Sequence, residues 1–165
     1  MQTSLKTLSE NKEAQQGLID LNHSSTDDIN QRMVNEKIIQ LINLYKKGLF
    51  KNVVKEGEAL LRQIPSNFSL WNIIGASYAE LGMFDKAIIA YQKSILLMPN
   101  YFETYNNLGV VFQNQNKFND AADMFKKSIA LKPYYAEAYN NLGVTLHHLG
   151  NLNAAIQAYK KSIIL

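Results

Sequence analysis

The three prolines of the chain, Pro65, Pro99 and Pro133, stand 34 residues apart. Six other residue classes keep the same step. They are the aromatics Trp71, Tyr105 and Tyr139, the glycines Gly75, Gly109 and Gly143, and the alanines Ala87, Ala121 and Ala155. With them run Phe50, Phe84, Phe118 and Leu152, then Tyr91, Phe125 and Tyr159, and also Ser94, Ser128 and Ser162. A fixed period of this length restricts the chain to an array of supersecondary units, each burying its apolar face against the next. Residues 102–135 show what one unit is. Tyr105, Leu108, Gly109 and Phe112 follow helical steps of three and four, and Gln115–Lys117 interrupts them. Phe118, Ala121, Ala122, Phe125 and Ile129 then begin a second helical face, which Pro133 ends. Small residues at Gly109 and Ala121 suit the crossing of two paired helices, with the aromatics filling the space beside them.

The rest of the composition excludes more than it selects. Of 165 residues, 47% are hydrophobic and 19% charged, a globular balance. A net charge of +3 is too small for a dedicated nucleic-acid binder, and no nucleic-acid partner is expected. Without cysteine there is no disulfide framework, thiolate metal site or cysteine nucleophile. No apolar run nears the roughly 18 residues of a membrane span. Residues 1–25 lack the features of a signal peptide, so the expected compartment is the cytoplasm and no membrane partner is expected. Residues 1–26 read as a polar, disordered leader, although Leu5, Leu8, Leu18, Ile19 and Leu21 allow a transient amphipathic helix. Ser25-Thr26-Asp27-Asp28 reads as a helix start. Eight helices are predicted, at 27–47, 50–63, 68–81, 84–97, 102–115, 118–131, 136–149 and 152–165.

The pattern W-x2-L-G-x2-Y, then A-x3-F and a closing proline, resembles the tetratricopeptide repeat family. Trp71, Ile74, Gly75, Tyr78, Ala87, Tyr91 and Pro99 carry it in the unit 68–101. Tyr105, Leu108, Gly109, Phe112, Ala121, Phe125 and Pro133 carry it in 102–135, and Tyr139, Leu142, Gly143, Leu146, Ala155 and Tyr159 in a truncated unit 136–165. A first unit, 34–67, is degenerate: Gln40 and Leu41 stand where Leu-Gly belongs, and Gly57 where an aromatic belongs. The resemblance implies an all-α fold over 27–165, a right-handed α-solenoid of stacked antiparallel helix pairs. The last unit stops before its own closing proline, so a longer array is expected. Its apolar stripe of Ile156, Tyr159, Ile163 and Ile164 then suggests self-association through an uncapped last helix.

No enzyme signature is present. There is no phosphate loop, nucleophile elbow or paired-histidine metal motif, so no catalytic, metal or cofactor site is assigned. His147 and His148 are adjacent and diverge by about 100° on a helix, too far apart to grip one ion. Lys126-Lys127 and Lys160-Lys161 read as a solvated outer face.

The 18 asparagines are the more informative excess. Asn72, Asn106 and Asn140 are in phase, as are Asn107 and Asn141. The resemblance implies that first helices line the concave surface, which places these five in a groove, with Gln113, Asn114 and His147 about two turns further along. Primary amides suit the alternating N–H and C=O groups of an extended peptide. The segments YNNLG at 105–109 and 139–143 are similar to repeats of O-linked N-acetylglucosamine transferases and related bacterial glycosyltransferases. In that family an asparagine two before the glycine holds the acceptor polypeptide, and the role would pass to Asn107 and Asn141. Chaperone co-factors of the wider family instead grip a carboxylate with basic residues. The inner positions here (Ser69, Asn72, Ile73, Glu103, Asn106, Asn107, Glu137, Asn140 and Asn141) include none. The expected function is therefore a non-catalytic module binding a protein or peptide segment. The alternative is the recruiting arm of a larger glycosyltransferase or sulfotransferase.

Overall fold

The computed structural model describes residues 31–165. The expected leader at 1–26 and the helix start at Asp27 lie outside them. The described residues fall into two units. In the first, residues 31–40 are helical and largely exposed, with Gln31 Nε2 donating to Asn35 Oδ1 at 3.2 Å.

The second unit, 41–165, opens with helical residues 41–46 (α1). Seven further helices follow: α2 (Phe50–Leu61), α3 (Phe68–Glu80), α4 (Phe84–Leu97), α5 (Phe102–Asn114), α6 (Phe118–Leu131), α7 (Ala136–His148) and α8 (Leu152–Ile164). The bounds of these seven fall within two residues of the sequence reading, and no strand occurs among the described residues. Helices α3 and α4, α5 and α6, and α7 and α8 form tight pairs, and each pair packs on the next. The unit is an α-solenoid.

Several of the repeated classes have a contact that explains them. A Cβ on Gly75 would lie 2.9 Å from the Tyr91 ring, one on Gly109 2.6 Å from Phe125, and one on Gly143 2.7 Å from Tyr159. Glycine and aromatic therefore recur together because the ring of the second helix lies against bare backbone of the first. Trp71 Nε1 donates to the Pro65 carbonyl at 2.8 Å and Tyr105 OH to that of Pro99 at 2.9 Å, which ties these two aromatics to the preceding turn. Ser94 Oγ donates to the Phe68 carbonyl and Ser128 Oγ to that of Phe102, both at 3.0 Å, closing each unit end to start. Ser162 instead turns to its own helix, donating to the Tyr159 carbonyl at 2.8 Å. The degenerate first unit reverses the size order. Leu41 is 2% exposed at the glycine position, while Gly57, at the aromatic position, lets α3 come close enough that a Cβ there would meet Ile74 Cγ1 at 2.7 Å.

One periodic class is only half visible in the sequence. The turn between paired helices holds Gly48, Gly82, Asn116 and Gly150, again 34 residues apart, with φ of 73°, 71°, 58° and 76°. Asparagine is the side-chain-bearing residue that tolerates this left-handed region best, which is why Asn116 can replace glycine. Asn116→Val is expected to cost about 1–2 kcal/mol, read as a lower urea midpoint, because a β-branched residue is strained there. Asn116→Gly should leave the midpoint equal or raise it.

Tyr78, at the aromatic position near the end of α3, hydrogen-bonds the Glu58 carboxylate of α2. Burial first, then this bond and the carboxylate charge, push its hydroxyl from about 10 up to about 12. The unfolded chain then loses the proton more readily than the folded one. The contribution is complete below pH 10 and is lost as pH rises from about 10 to about 12. Tyr78→Phe should flatten the fall of melting temperature across that window.

Candidate functional site

Successive first helices α3, α5 and α7 contact one another, whereas no contact links the second helices α4, α6 and α8 to each other among the described residues. The more closely packed layer is the inner side of a curved stack, so the first helices present the concave face. The side chains that join them are polar. Thr104 Oγ1 donates to Asn72 Oδ1 at 3.1 Å, and Asn107 Nδ2 reaches the same oxygen at 3.5 Å. Across the next junction Asn141 Nδ2 donates to Asn106 Oδ1 at 3.1 Å. Further along, Gln113 Nε2 donates to Thr145 Oγ1 at 3.2 Å, and that hydroxyl donates to the Asn141 carbonyl at 2.8 Å. A hydroxyl one turn from its own carbonyl acceptor keeps its lone pair facing the neighbouring helix, which is what Gln113 uses.

Asn106 departs from the sequence expectation. Helical phase puts it in the open groove, yet it is 0% exposed, between α5 and α7. Its amide donates to Glu137 Oε1 at 3.0 Å and to Tyr135 OH at 3.4 Å, while its oxygen takes the Asn141 proton. Both amide protons and one lone pair of its oxygen are used inside the fold, so Asn106 positions Asn141 from beneath the surface. Phase assigns Asn106 to the right helix. What phase does not show is how closely α7 approaches it.

The remaining candidates divide by exposure. Asn72, Asn107, Asn141 and Gln113 are half-buried, and each is held by a neighbouring first helix. Asn114, Asn140 and His147 are exposed. His148, beside His147, stacks flat on the Phe118 ring with centroids 4.6 Å apart. At the start of α7 the Tyr135 hydroxyl donates to Glu137 Oε2 at 3.0 Å. Burial, that bond and the charges of Glu137 and Glu103 all push its ionisation upward, so it is a neutral donor at physiological pH. Sequence reasoning misses Thr104, Thr145 and Tyr135. A hydroxyl residue on an otherwise apolar helix face was the available signal for the two threonines.

Among the described residues, no group of three His, Cys, Asp or Glu side chains gathers where a metal ion could be held. No helix among them is long and apolar enough to cross a membrane. The lysines of the second helices, Lys126, Lys127, Lys160 and Lys161, are exposed, and Lys126 pairs only with Asp123 at 3.5 Å.

A tetratricopeptide repeat profile matches residues 67–133, and a second profile of the same description matches residues 124–157. No curated protein matches the sequence significantly. Among solved structures, a crystal structure of MamA superposes with a TM-score of 0.73 at 22% identity, over 79% of this chain and 76% of that one. MamA from residue 41 to its end, from Desulfovibrio magneticus RS-1, gives a TM-score of 0.73 at 17% identity, over 80% and 75% of the two chains. At such identities the shared property is the fold.

Proposed function

From the premise that residues 67–157 are tetratricopeptide repeats, we propose that this chain is a non-catalytic interaction module that takes an extended peptide segment along the inner face of α3, α5 and α7. The observation that carries the reading is the amide row. Asn107 and Asn141 occupy equivalent places on successive helices, and each is fixed by a hydrogen bond to the helix beside it. An amide already held in place loses less freedom when it grips a ligand, and each keeps an oxygen to accept from a peptide N–H. Asn140, Asn114 and His147 supply exposed polar contacts around that row. The narrower likeness to glycosyltransferase repeats rests on the two YNNLG segments alone, and the groove reading does not depend on it. Self-association would rest on α8, where Ile156, Ile163 and Ile164 are exposed.

The test is a display of random peptides on the purified protein, followed by anisotropy titration of the selected sequences. Asn107→Ala with Asn141→Ala is expected to weaken binding by about 0.5–1.5 kcal/mol per lost neutral hydrogen bond. The loss should vary little between peptide sequences and change little with salt. A steep salt dependence that disappears when Lys126 and Lys160 are neutralised would move the binding to the outer face and overturn the groove.

A further inference from the structure

A second surface lies away from the amide row, between α2, α3 and the start of α4. Two adjoining clefts share Glu58 and Tyr78. One, of about 390 Å³, has an apolar floor of Val54, Leu81 and Met83 beside the Tyr78 ring, with Lys51 and Lys86 on its rim. The other, of about 290 Å³, continues past Leu61, Trp71 and Ile74 to Arg62. From Lys51 to Arg62 the groove follows α2 for about 17 Å, at 1.5 Å per residue. Its floor is open: Met83 is 45% exposed and Leu49, next to Lys51 at the cleft end, 44%.

The groove is specific to this junction. Thirty-four residues on, the positions of Lys51, Leu81, Met83 and Lys86 carry Asp85, Gln115, Lys117 and Asp120. There Gln115 Nε2 reaches across to Asp85 Oδ1 at 3.4 Å, and an amide, a lysine and two acids stand where the first junction has two apolar side chains and two cations. The charge balance at the first junction is one-sided. Lys51, Lys86 and Arg62 line it with no ion-pair partner among the described residues, and Lys86 Nζ is held 5.4 Å above the Tyr78 ring. The single lining acid, Glu58, already accepts the Tyr78 hydroxyl proton. The nearby Asp85 and Glu80 lie outside the lining, turned to Gln115 and to the Tyr45 hydroxyl, and keep their charges.

We propose that this groove docks an acidic protein segment whose apolar side chains seat on Val54, Leu81 and Met83 while its carboxylates meet Lys51, Lys86 and Arg62. Apolar burial supplies the attraction and the three cations select the partner and speed its encounter. The occupant is a segment of another protein, because an elongated, open cleft with charges at both ends fits a chain and leaves a compact ligand largely uncovered. It is independent of the amide row, and the two surfaces can be occupied at once.

The experiment uses the full chain and a displayed library of random peptides, selected on the wild type and counter-selected on Lys51→Glu with Lys86→Glu. Enriched peptides are expected to combine Asp or Glu with large apolar residues. Their affinity should fall about tenfold or more on the charge-reversed protein, and again on Met83→Gln, and should weaken as salt is raised. It should be unchanged by Asn107→Ala with Asn141→Ala. Amide chemical-shift changes should fall on residues 51–62 and 78–86. Lys51, Lys86 and Met83 are exposed, and unaltered far-ultraviolet circular dichroism confirms that each variant folds. Failure to enrich any binder tighter than millimolar, enrichment of peptides without acids, equal binding to the charge-reversed protein, or shifts confined to residues 104–114 and 138–148 would each overturn the proposal. The last outcome would leave the amide-row reading standing.

Discussion

Phe125→Ala is expected to lower the stability of the array by about 3–5 kcal/mol, the usual cost of emptying a fully buried aromatic site. The ring is fully buried in the middle of the stack, and it lies on bare backbone at Gly109. That contact gives the prediction a sharper form. In the wild type, Gly109→Ala should destabilise by about 1–3 kcal/mol, because its methyl would stand 2.6 Å from Phe125 Cε1. In the Phe125→Ala background the same methyl enters vacated space and brings the helix-forming advantage of alanine, about 0.5–1 kcal/mol. The substitution should then stabilise. Urea midpoints of the four proteins measure the reversal, and equal effects of Gly109→Ala in both backgrounds would mean that ring and glycine do not determine each other.

Asn106→Asp should be the most damaging change on the inner face. The new carboxylate would replace an amide that donates to Glu137 Oε1 at 3.0 Å, setting a fully buried acid against the charge of the more exposed Glu137. An uncompensated buried charge costs about 3–5 kcal/mol. The sign follows from linkage. Burial and the Glu137 charge raise the folded pKa of the introduced carboxyl above its unfolded value of about 3.9, so the fold favours the protonated form. The variant should be near wild-type stability below about pH 4 and should lose stability as pH rises above it. Thermal melts at acid and neutral pH read this directly. A variant equally stable at both would place Asn106 in solvent. Because Asn106 holds Asn141, the neutral variant Asn106→Ala should also weaken peptides that depend on Asn141.

Repetition made most of the fold legible. A contact that recurs every 34 residues leaves the same residue pair at each recurrence, so glycine with aromatic and proline with indole or phenol were visible as series before any geometry was known. The turn series escaped because Asn116 breaks the run of glycines, and only the positive φ at all four places reveals one class. The degenerate first unit was legible as a departure. That Gly57 admits Ile74 of the following helix was not, since the partner lies outside the unit.

The candidate site was legible only to the level of the helix face. From residue 50 on, residue order by itself determined the number of helices, their limits and pairing, and the fact that asparagines fall on the first helix of each unit. These are local properties, set by periodicity and by where a chain can turn. Tertiary structure alone decided what each polar side chain does. Asn106 and Asn140 are in phase in the sequence, yet one is buried and bonded through both its nitrogen and its oxygen while the other is exposed. The difference is that α7 packs over Asn106 and brings Glu137, Tyr135 and Asn141 to it. A repeat specifies its own surface, but the burial of that surface depends on which residues the next repeat lays against it.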